Sequence, residues 1–320
     1  MPQPRPTNPS SCQLLADIGG THTRLALADA GVLRPDSIRR YRNDGYGAFQ
    51  TLLADYLRDC ALRDCAGVCL AVAGPVRGDT VRMTNLGWEL THAAIAAQTG
   101  ASRVHFLNDL QAQGYALEGM AADRFCTLLP GHAAPEATTR LVVGIGTGFN
   151  AAPVHRLSDG VFVPPSECGH AHLPQRDLQA RALAEWLARL HPVATVEEAL
   201  SGRGLAAIHR FLGHGETTPE ALVAALRDND ADARETVALY TKLLARSLAD
   251  LALIHLPFGG IWLIGGTARA IGPHLAGFGL EADFRAMGRY GDLMQAFAIH
   301  LVDDDYAALS GCAAWLGARN

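Results

Sequence analysis

The sequence predicts an α/β fold, and three observations predict it. Apolar runs of strand length alternate with longer stretches of helical spacing over most of the chain. The strand-like runs end at glycine turns, the place where α/β proteins put ligands. Two of those units repeat each other: Leu14-Leu15-Ala16-Asp17-Ile18-Gly19-Gly20-Thr21 and Leu141-Val142-Val143-Gly144-Ile145-Gly146-Thr147-Gly148. Each is an apolar strand, a glycine turn carrying a threonine, then a second apolar stretch. The repeat predicts a duplicated βββ unit, one per domain, and 320 residues are enough for two domains.

The elements follow in order. Cys12–Ile18 and Arg24–Ala28 read as strands joined by the first glycine turn, with Ser37–Arg42 a candidate third strand. Tyr46–Leu57 has helical spacing. Gly67–Val72 is a buried strand closed by Gly74-Pro75, and Thr80–Met83 is a short one. Thr91 caps a short helix ending at Gly100. Arg103–Leu107 is a buried strand that runs into Asn108-Asp109, where a helix begins. In the second half Leu141–Ile145 is a strand, Leu178–Ala252 is mostly helical, and Thr218-Pro219-Glu220 marks a helix start. Ile261–Ile264 and Ala298–Val302 are strands, and a terminal helix spans Tyr306–Leu316.

Composition removes several functions. A net charge of −5 offers no basic field for a phosphate backbone, which argues against nucleic acid as a partner. Lys242 is the sole lysine and lies within a helical stretch, not behind a glycine-rich turn, which excludes a Walker A loop and a protein-kinase lysine. Seven cysteines without a CxxC element read as reduced thiols of a cytoplasmic protein. Residues 1–11, with four prolines and no apolar run, read as a disordered leader and not a secretory signal. No apolar stretch is long enough to cross a membrane.

The chemistry-bearing residues sit at the strand ends. In Asp17-Ile18-Gly19-Gly20-Thr21 the glycines let backbone N–H groups approach an anion, Thr21 adds a hydroxyl, and Asp17 is placed to hold Mg²⁺ directly or through water. A plain hairpin would look similar. Gly146-Thr147-Gly148 has the same logic, and Gly265-Gly266 could underlie a base or ribose, or simply allow tight packing. Asp109 could take the proton of an attacking hydroxyl while Asn108 holds a neighbouring one; taken alone, Asp109 reads equally as a helix cap. Glu167 and His170 suit vicinal sugar hydroxyls, or form a solvated loop. Glu197 precedes Ser201-Gly202-Arg203-Gly204, or lies on an exposed helix face. Asn85 could touch substrate, or is a turn asparagine.

Together these stretches resemble the bacterial glucokinases of the hexokinase–actin–heat-shock-chaperone ATPase superfamily. The resemblance runs through Asp17–Thr21 with Arg24–Leu27, Ala71–Val76, Met83-Thr84-Asn85, Leu107-Asn108-Asp109, Gly146–Gly148, Glu167-x-Gly169-His170, Leu200-Ser201-Gly202-x-Gly204-Leu205 and Gly265-Gly266. These come in the family's order and span nearly the whole chain after the leader. The resemblance implies a two-domain actin-like (ribonuclease H-like) fold with a substrate cleft between the domains. It divides the chain into a small domain, 12–118, rejoined by a C-terminal helix at 306–320, and a large domain, 119–305. It implies phosphorylation of glucose at the 6-hydroxyl by ATP and Mg²⁺, with Asp109 as base. Asn85, Asn108, Glu167, His170 and Glu197 would contact sugar. Asp17, Ile18, Gly19, Gly20, Thr21, Gly146, Thr147 and Gly148 would hold phosphates, and Gly265 with Gly266 the adenosine. A homodimer is implied as well. The chain departs from the family pattern at Cys168, where the loop usually reads Glu-Gly-Gly-His, at His22, and at Asn150, which replaces a glycine. The same residues would serve a kinase for another hexose or a non-catalytic sugar sensor.

Overall fold

The computed structural model describes residues 12–74, 76, 78–83, 86–132, 139–158 and 160–319. The leader predicted at 1–11 and the candidate Asn85 lie outside the described residues. The chain divides into two compact units, one running to Met120 and resuming at Tyr306, the other spanning Ala121–Asp305.

The first unit opens with β1 (Cys12–Ile18), β2 (His22–Asp29) and β3 (Val32–Arg42), then α1 (Phe49–Asp59), β4 (Gly67–Val72), the ribbon β5 (Thr80–Met83) and β6 (Trp88–Thr91), α2 (His92–Thr99), β7 (Val104–Asn108) and α3 (Asp109–Ala116). Its sheet has the order β3-β2-β1-β4-β7, with β1, β4 and β7 parallel and β2 and β3 antiparallel to their neighbours. β4 is buried along its whole length, as its unbroken apolar run predicts for a central parallel strand. β3 extends five residues before the predicted Ser37 and tolerates Pro35, because it is the edge strand and its register shifts opposite Leu25–Leu27. Leu14, Ala16 and Ile18 pack with Phe49, Leu52 and Leu53 of α1 and Ile95 of α2. α2 is capped as its sequence predicts: Thr91 Oγ1 accepts from the Ala94 amide and Gly100 closes the helix at φ 66°.

The second unit holds β8 (Phe125–Leu129), β9 (Thr139–Ile145), β10 (Phe149–Leu157) and β11 (Gly160–Phe162). A helical block follows: α4 (Leu178–Leu187), α5 (Val196–Leu200), α6 (Gly202–Phe211), α7 (Pro219–Arg227) and α8 (Ala231–His255). Then come β12 (Ile261–Ile264), α9 (Gly266–Leu275), α10 (Leu280–Arg285), α11 (Gly291–Met294) and β13 (Ile299–Val302). The sheet order is β11-β10-β9-β12-β13-β8. Its first five strands repeat the pattern of the first unit, so the duplication read from the two glycine turns extends to whole sheets. The long α8 lies in the core, burying Tyr240, Leu244 and Leu248 among Leu141, Val143 and Leu263 of the sheet.

The chain returns to the first unit as α12 (Ala307–Gly317). Gly311 lets α12 approach α3 closely, since a Cβ there would collide with the Ala112 carbonyl. Among the described residues no helix is long and apolar enough to cross a membrane.

Candidate active site

In the first unit, register brings the predicted residues to one edge. Ile18 of β1 lies level with Val72 of β4, and Val72 with Asn108 of β7. The turn at 19–21, the turn at Gly74 and the Asn108-Asp109 pair therefore leave the carboxyl ends of three adjacent parallel strands side by side. Neighbouring strands lie about 4.8 Å apart, so β1 and β7 are separated by roughly 10 Å. That span suits a polyphosphate tail at one end and an attacking hydroxyl at the other.

The helix cap belongs to Asn108, not Asp109. Asn108 Oδ1 accepts from the Leu110 amide at 3.0 Å, and Gln111 Oε1 returns a bond to the Asn108 amide at 3.1 Å. The Asn108 Nδ2 donates to the Gly74 carbonyl at 3.2 Å, tying β7 to the turn after β4. Asp109 is consequently the first residue of α3, half-buried, with its Oδ1 accepting from the Leu110 amide at 2.8 Å. Asn108, predicted to hold a sugar hydroxyl, caps α3 and so places Asp109 at the helix's first position.

Asp17, one residue before the end of β1, lies directly opposite Arg24, whose Nη1 donates to Asp17 Oδ2 at 2.8 Å. Burial lifts the Asp17 carboxyl above its ordinary range, and Arg24 draws it back only in part. A desolvated carboxylate that one guanidinium leaves under-compensated, next to a phosphate turn, has the hard-oxygen chemistry Mg²⁺ prefers. Among the described residues no cluster of three or more potential ligands exists, so the protein would contribute one carboxylate and leave the other positions to water and phosphate oxygens. In the turn itself Gly20 is exposed, and neither a positive φ nor a neighbour within 4 Å of its would-be Cβ requires glycine there.

In the second unit the three glycine segments interlock. The Gly146 carbonyl accepts from the Gly202 amide at 2.8 Å and from Thr267 Oγ1 at 3.2 Å. Gly146-Thr147-Gly148, the start of α6 and the Gly265-Gly266-Thr267 start of α9 thus meet at one carbonyl. Gly265 needs its glycine, at φ 111° and close against the Ile145 carbonyl. Glu197 supports the same turn: its Oε2 accepts from the Phe149 amide at 3.0 Å, while its Oε1 pairs with Arg203. Glu167 precedes a single 3-10 turn, Cys168–His170, and His170 ends it, both exposed, with Gly169 pressed against the Phe149 carbonyl. Glu167, His170 and Glu197 therefore gather around the start of β10.

Comparison with known proteins decides the assignment. A protein-family model described as glucokinase matches residues 14–319. The chain belongs to the glucokinase family. A glucokinase from Saccharophagus degradans is 28% identical over 314 residues, covering 95% of this chain and 97% of its own. The crystal structure of a glucokinase from an Antarctic psychrotroph superposes with a TM-score of 0.84 at 26% identity, covering 96% of this chain and 98% of that one. A Balamuthia mandrillaris glucokinase, solved in complex with glucose, shares the fold with a TM-score of 0.79 at 22% identity over 97% and 94% of the two chains.

Three residues that brace these turns and loops were not legible as such. Asn43 is buried and pins the 19–21 turn: its Nδ2 donates to the Gly19 carbonyl at 2.8 Å, its amide to the Thr21 carbonyl at 2.9 Å, and its Oδ1 accepts from Thr23 at 2.8 Å. Arg203 neutralises Glu197. Asn150 reaches across to the 166–168 loop. A lone asparagine after a strand carries no local signal for a partner 24 residues back.

Proposed function

We propose that this chain transfers the γ-phosphoryl group of ATP to the 6-hydroxyl of glucose, with Asp109 as the general base. The observation that carries the reading is the level termination of β1, β4 and β7, which sets the phosphate turn and the Asp109 carboxylate on one sheet edge. Phosphoryl transfer asks mainly for alignment and charge neutralisation, and each part has a residue. Asp109, held by the first turn of α3, takes the hydroxyl proton as the oxygen attacks. Asn108 binds a neighbouring hydroxyl of the sugar, as the resemblance implies, and its bonds to Gly74 and α3 fix the start of the helix that carries Asp109. The Gly19 and Gly146 amides donate within their own turns, to the His22 and Gly148 carbonyls, so phosphate would fall to the remaining groups of Gly19–Thr21 and Gly146–Gly148, and the adenosine to Gly265 with Gly266. Glu167 and His170 bind sugar hydroxyls, and Glu197 does so while bracing the Phe149 amide. Asp17 would hold Mg²⁺ through water; such a cation offsets charge on the phosphate oxygens. We place the reaction in the cytosol, which suits seven unpaired thiols, and in a homodimer, as the resemblance implies.

The test is a coupled assay of ADP release over glucose, mannose, fructose and glucosamine. Glucose-dependent turnover is expected, and Asp109→Ala should abolish it while calorimetry still detects glucose binding. ADP release indifferent to sugar, or turnover surviving in Asp109→Ala, would overturn the reading.

A further inference from the structure

We propose that Asn150 is a positioning residue for the sugar loop, and that Asn150 and Cys168, the two positions where this chain replaces a glycine of the family pattern, form one clamp. The inference rests on the sugar-binding role given above to Glu167 and His170.

Within itself the loop has one long side-chain bond, from the Cys168 amide to Ser166 Oγ at 3.3 Å, and the turn bonds of the His170 and Ala171 amides. Pro164 and Pro165 remove two backbone donors from its approach. Glu167 sits at φ −134°, ψ 40°, outside the regular regions, and no side chain caps the 3-10 turn Cys168–His170. Both functional side chains are exposed, so their direction is set by the backbone beneath them.

Asn150 supplies what the loop lacks. It lies on β10 opposite Gly144, a position where the facing strand has no side chain. Its Nδ2 donates to the Ser166 carbonyl, and its Oδ1 accepts from the Cys168 amide at 3.0 Å and from the Ala151 amide at 2.9 Å. One carboxamide therefore grips the loop immediately before and after Glu167. Cys168 closes the other side: its Sγ lies 3.6 Å from the Ala151 carbonyl, and its side chain packs onto the core of the second unit. The thiol thus points toward the core of the second unit. A glycine at 150 would remove the carboxamide, and a glycine at 168 would remove the inward anchor.

These groups are half-buried, so water can replace the lost partners. The expected cost of breaking the clamp falls on loop order, and so on sugar affinity, more than on global stability. Asn150→Gly should raise the KM for glucose by about tenfold, the net worth of one to two hydrogen bonds, with the KM for ATP within about twofold. Asn150→Asp keeps the acceptor but loses the donor to Ser166, and should fall between wild type and glycine; it also serves if the glycine variant fails to fold. A second readout needs no turnover: iodoacetamide labelling of Cys168, followed by mass spectrometry, should accelerate in both variants relative to the exposed Cys126 of the same molecule. Unchanged labelling, a glucose KM within about twofold of wild type, or an ATP KM that rises as much as that for glucose would each overturn the proposal. If the wild-type protein shows no glucose turnover, the functional reading fails, and labelling alone still decides whether Asn150 orders the loop.

Discussion

The two units are built on one five-strand plan and have diverged at the same positions. By the internal repeat, Asp17 of the first unit corresponds to Gly144 of the second, and their cross-strand partners are Arg24 and Asn150. One unit thus carries a desolvated ion pair where the other carries a glycine and a carboxamide that grips a loop. The third parallel strands diverge similarly. β7 ends at Asn108 and is followed by Asp109, capped and half-buried, whereas β13 is followed by Asp303-Asp304-Asp305, where Asp303 and Asp305 both pair with Arg269 and Asp303 is largely exposed. The scaffold supplies strand ends; what differs is whether a helix starts at once and holds the carboxylate still. The proposed function asks the first unit for the proton acceptor and the second for the sugar contacts.

The largest expected effect breaks or confirms that asymmetry. Asp109→Asn should lower kcat by about 10³-fold with the glucose KM little changed, whereas Asp303→Asn, at the corresponding strand end of the second unit, should leave kcat within about twofold. Steady-state kinetics of the two variants read the contrast directly, and a comparable loss in Asp303→Asn would refute it. Asp17→Asn comes next. It should lower kcat by at least about tenfold and raise the Mg²⁺ concentration needed for half-maximal rate, because the amide leaves Arg24 unbalanced and offers no charge to a cation. A magnesium titration with unchanged midpoint would remove Asp17 from that role.

Much of the plan could be read from residues alone. β1 and β4 run between the predicted residues because strongly apolar runs closed by glycine turns mark central parallel strands, even with Gln13 and Asp17 inside β1. The helix start at Thr218-Pro219 was legible because capping is local chemistry: Thr218 Oγ1 accepts from the Ala221 amide at 3.2 Å. The short ribbon strand Trp88–Thr91 was not, since four residues carry too few alternations to show a period. The site divides in the same way. Asp109 and the glycine turns announce themselves by residue type at a strand end. Which of Asn108 and Asp109 caps the helix depends on a backbone angle that no spacing records, and Asn43 and Asn150 act through partners far away in sequence.

Asn43 gives the third test, because the two phosphate turns are braced by different means. In the first unit one buried side chain ties Gly19 to Thr23, while in the second the Gly202 amide and the Thr267 hydroxyl converge on Gly146. Asn43→Ala should destabilise the chain by about 2 kcal/mol, since it leaves a buried carbonyl and hydroxyl without their partner, and should raise the KM for ATP more than that for glucose. Urea denaturation and paired KM measurements check both halves. Thr267→Ala, which removes one of two bonds to an already satisfied carbonyl, should cost less on each measure.

The smallest effect concerns a charge cluster of the second unit to which the first has no counterpart among the described residues. Asp177 caps α4, accepting from the Ala180 amide at 2.9 Å, and pairs with Lys242 at 2.8 Å and Arg246 at 2.6 Å, so the only lysine ties α4 to α8. Partial burial works to raise its pKa, but Lys242, the Ala180 amide and Arg246 outweigh it and hold the carboxyl well below the usual range. A depressed carboxylate contributes stability that is complete above the unfolded value of about 3.9 and is lost as pH falls through the folded one. Asn caps a helix as well as Asp, so Asp177→Asn isolates the charge. Because the side chain is about a third exposed, solvent screening limits the loss at pH 7 to about 1 kcal/mol. Urea midpoints of variant and wild type should differ by a constant amount from pH 7 down to about pH 5 and converge below about pH 4. A gap that persists unchanged at pH 3 would mean that packing of the side chain, and not its charge, holds these helices together.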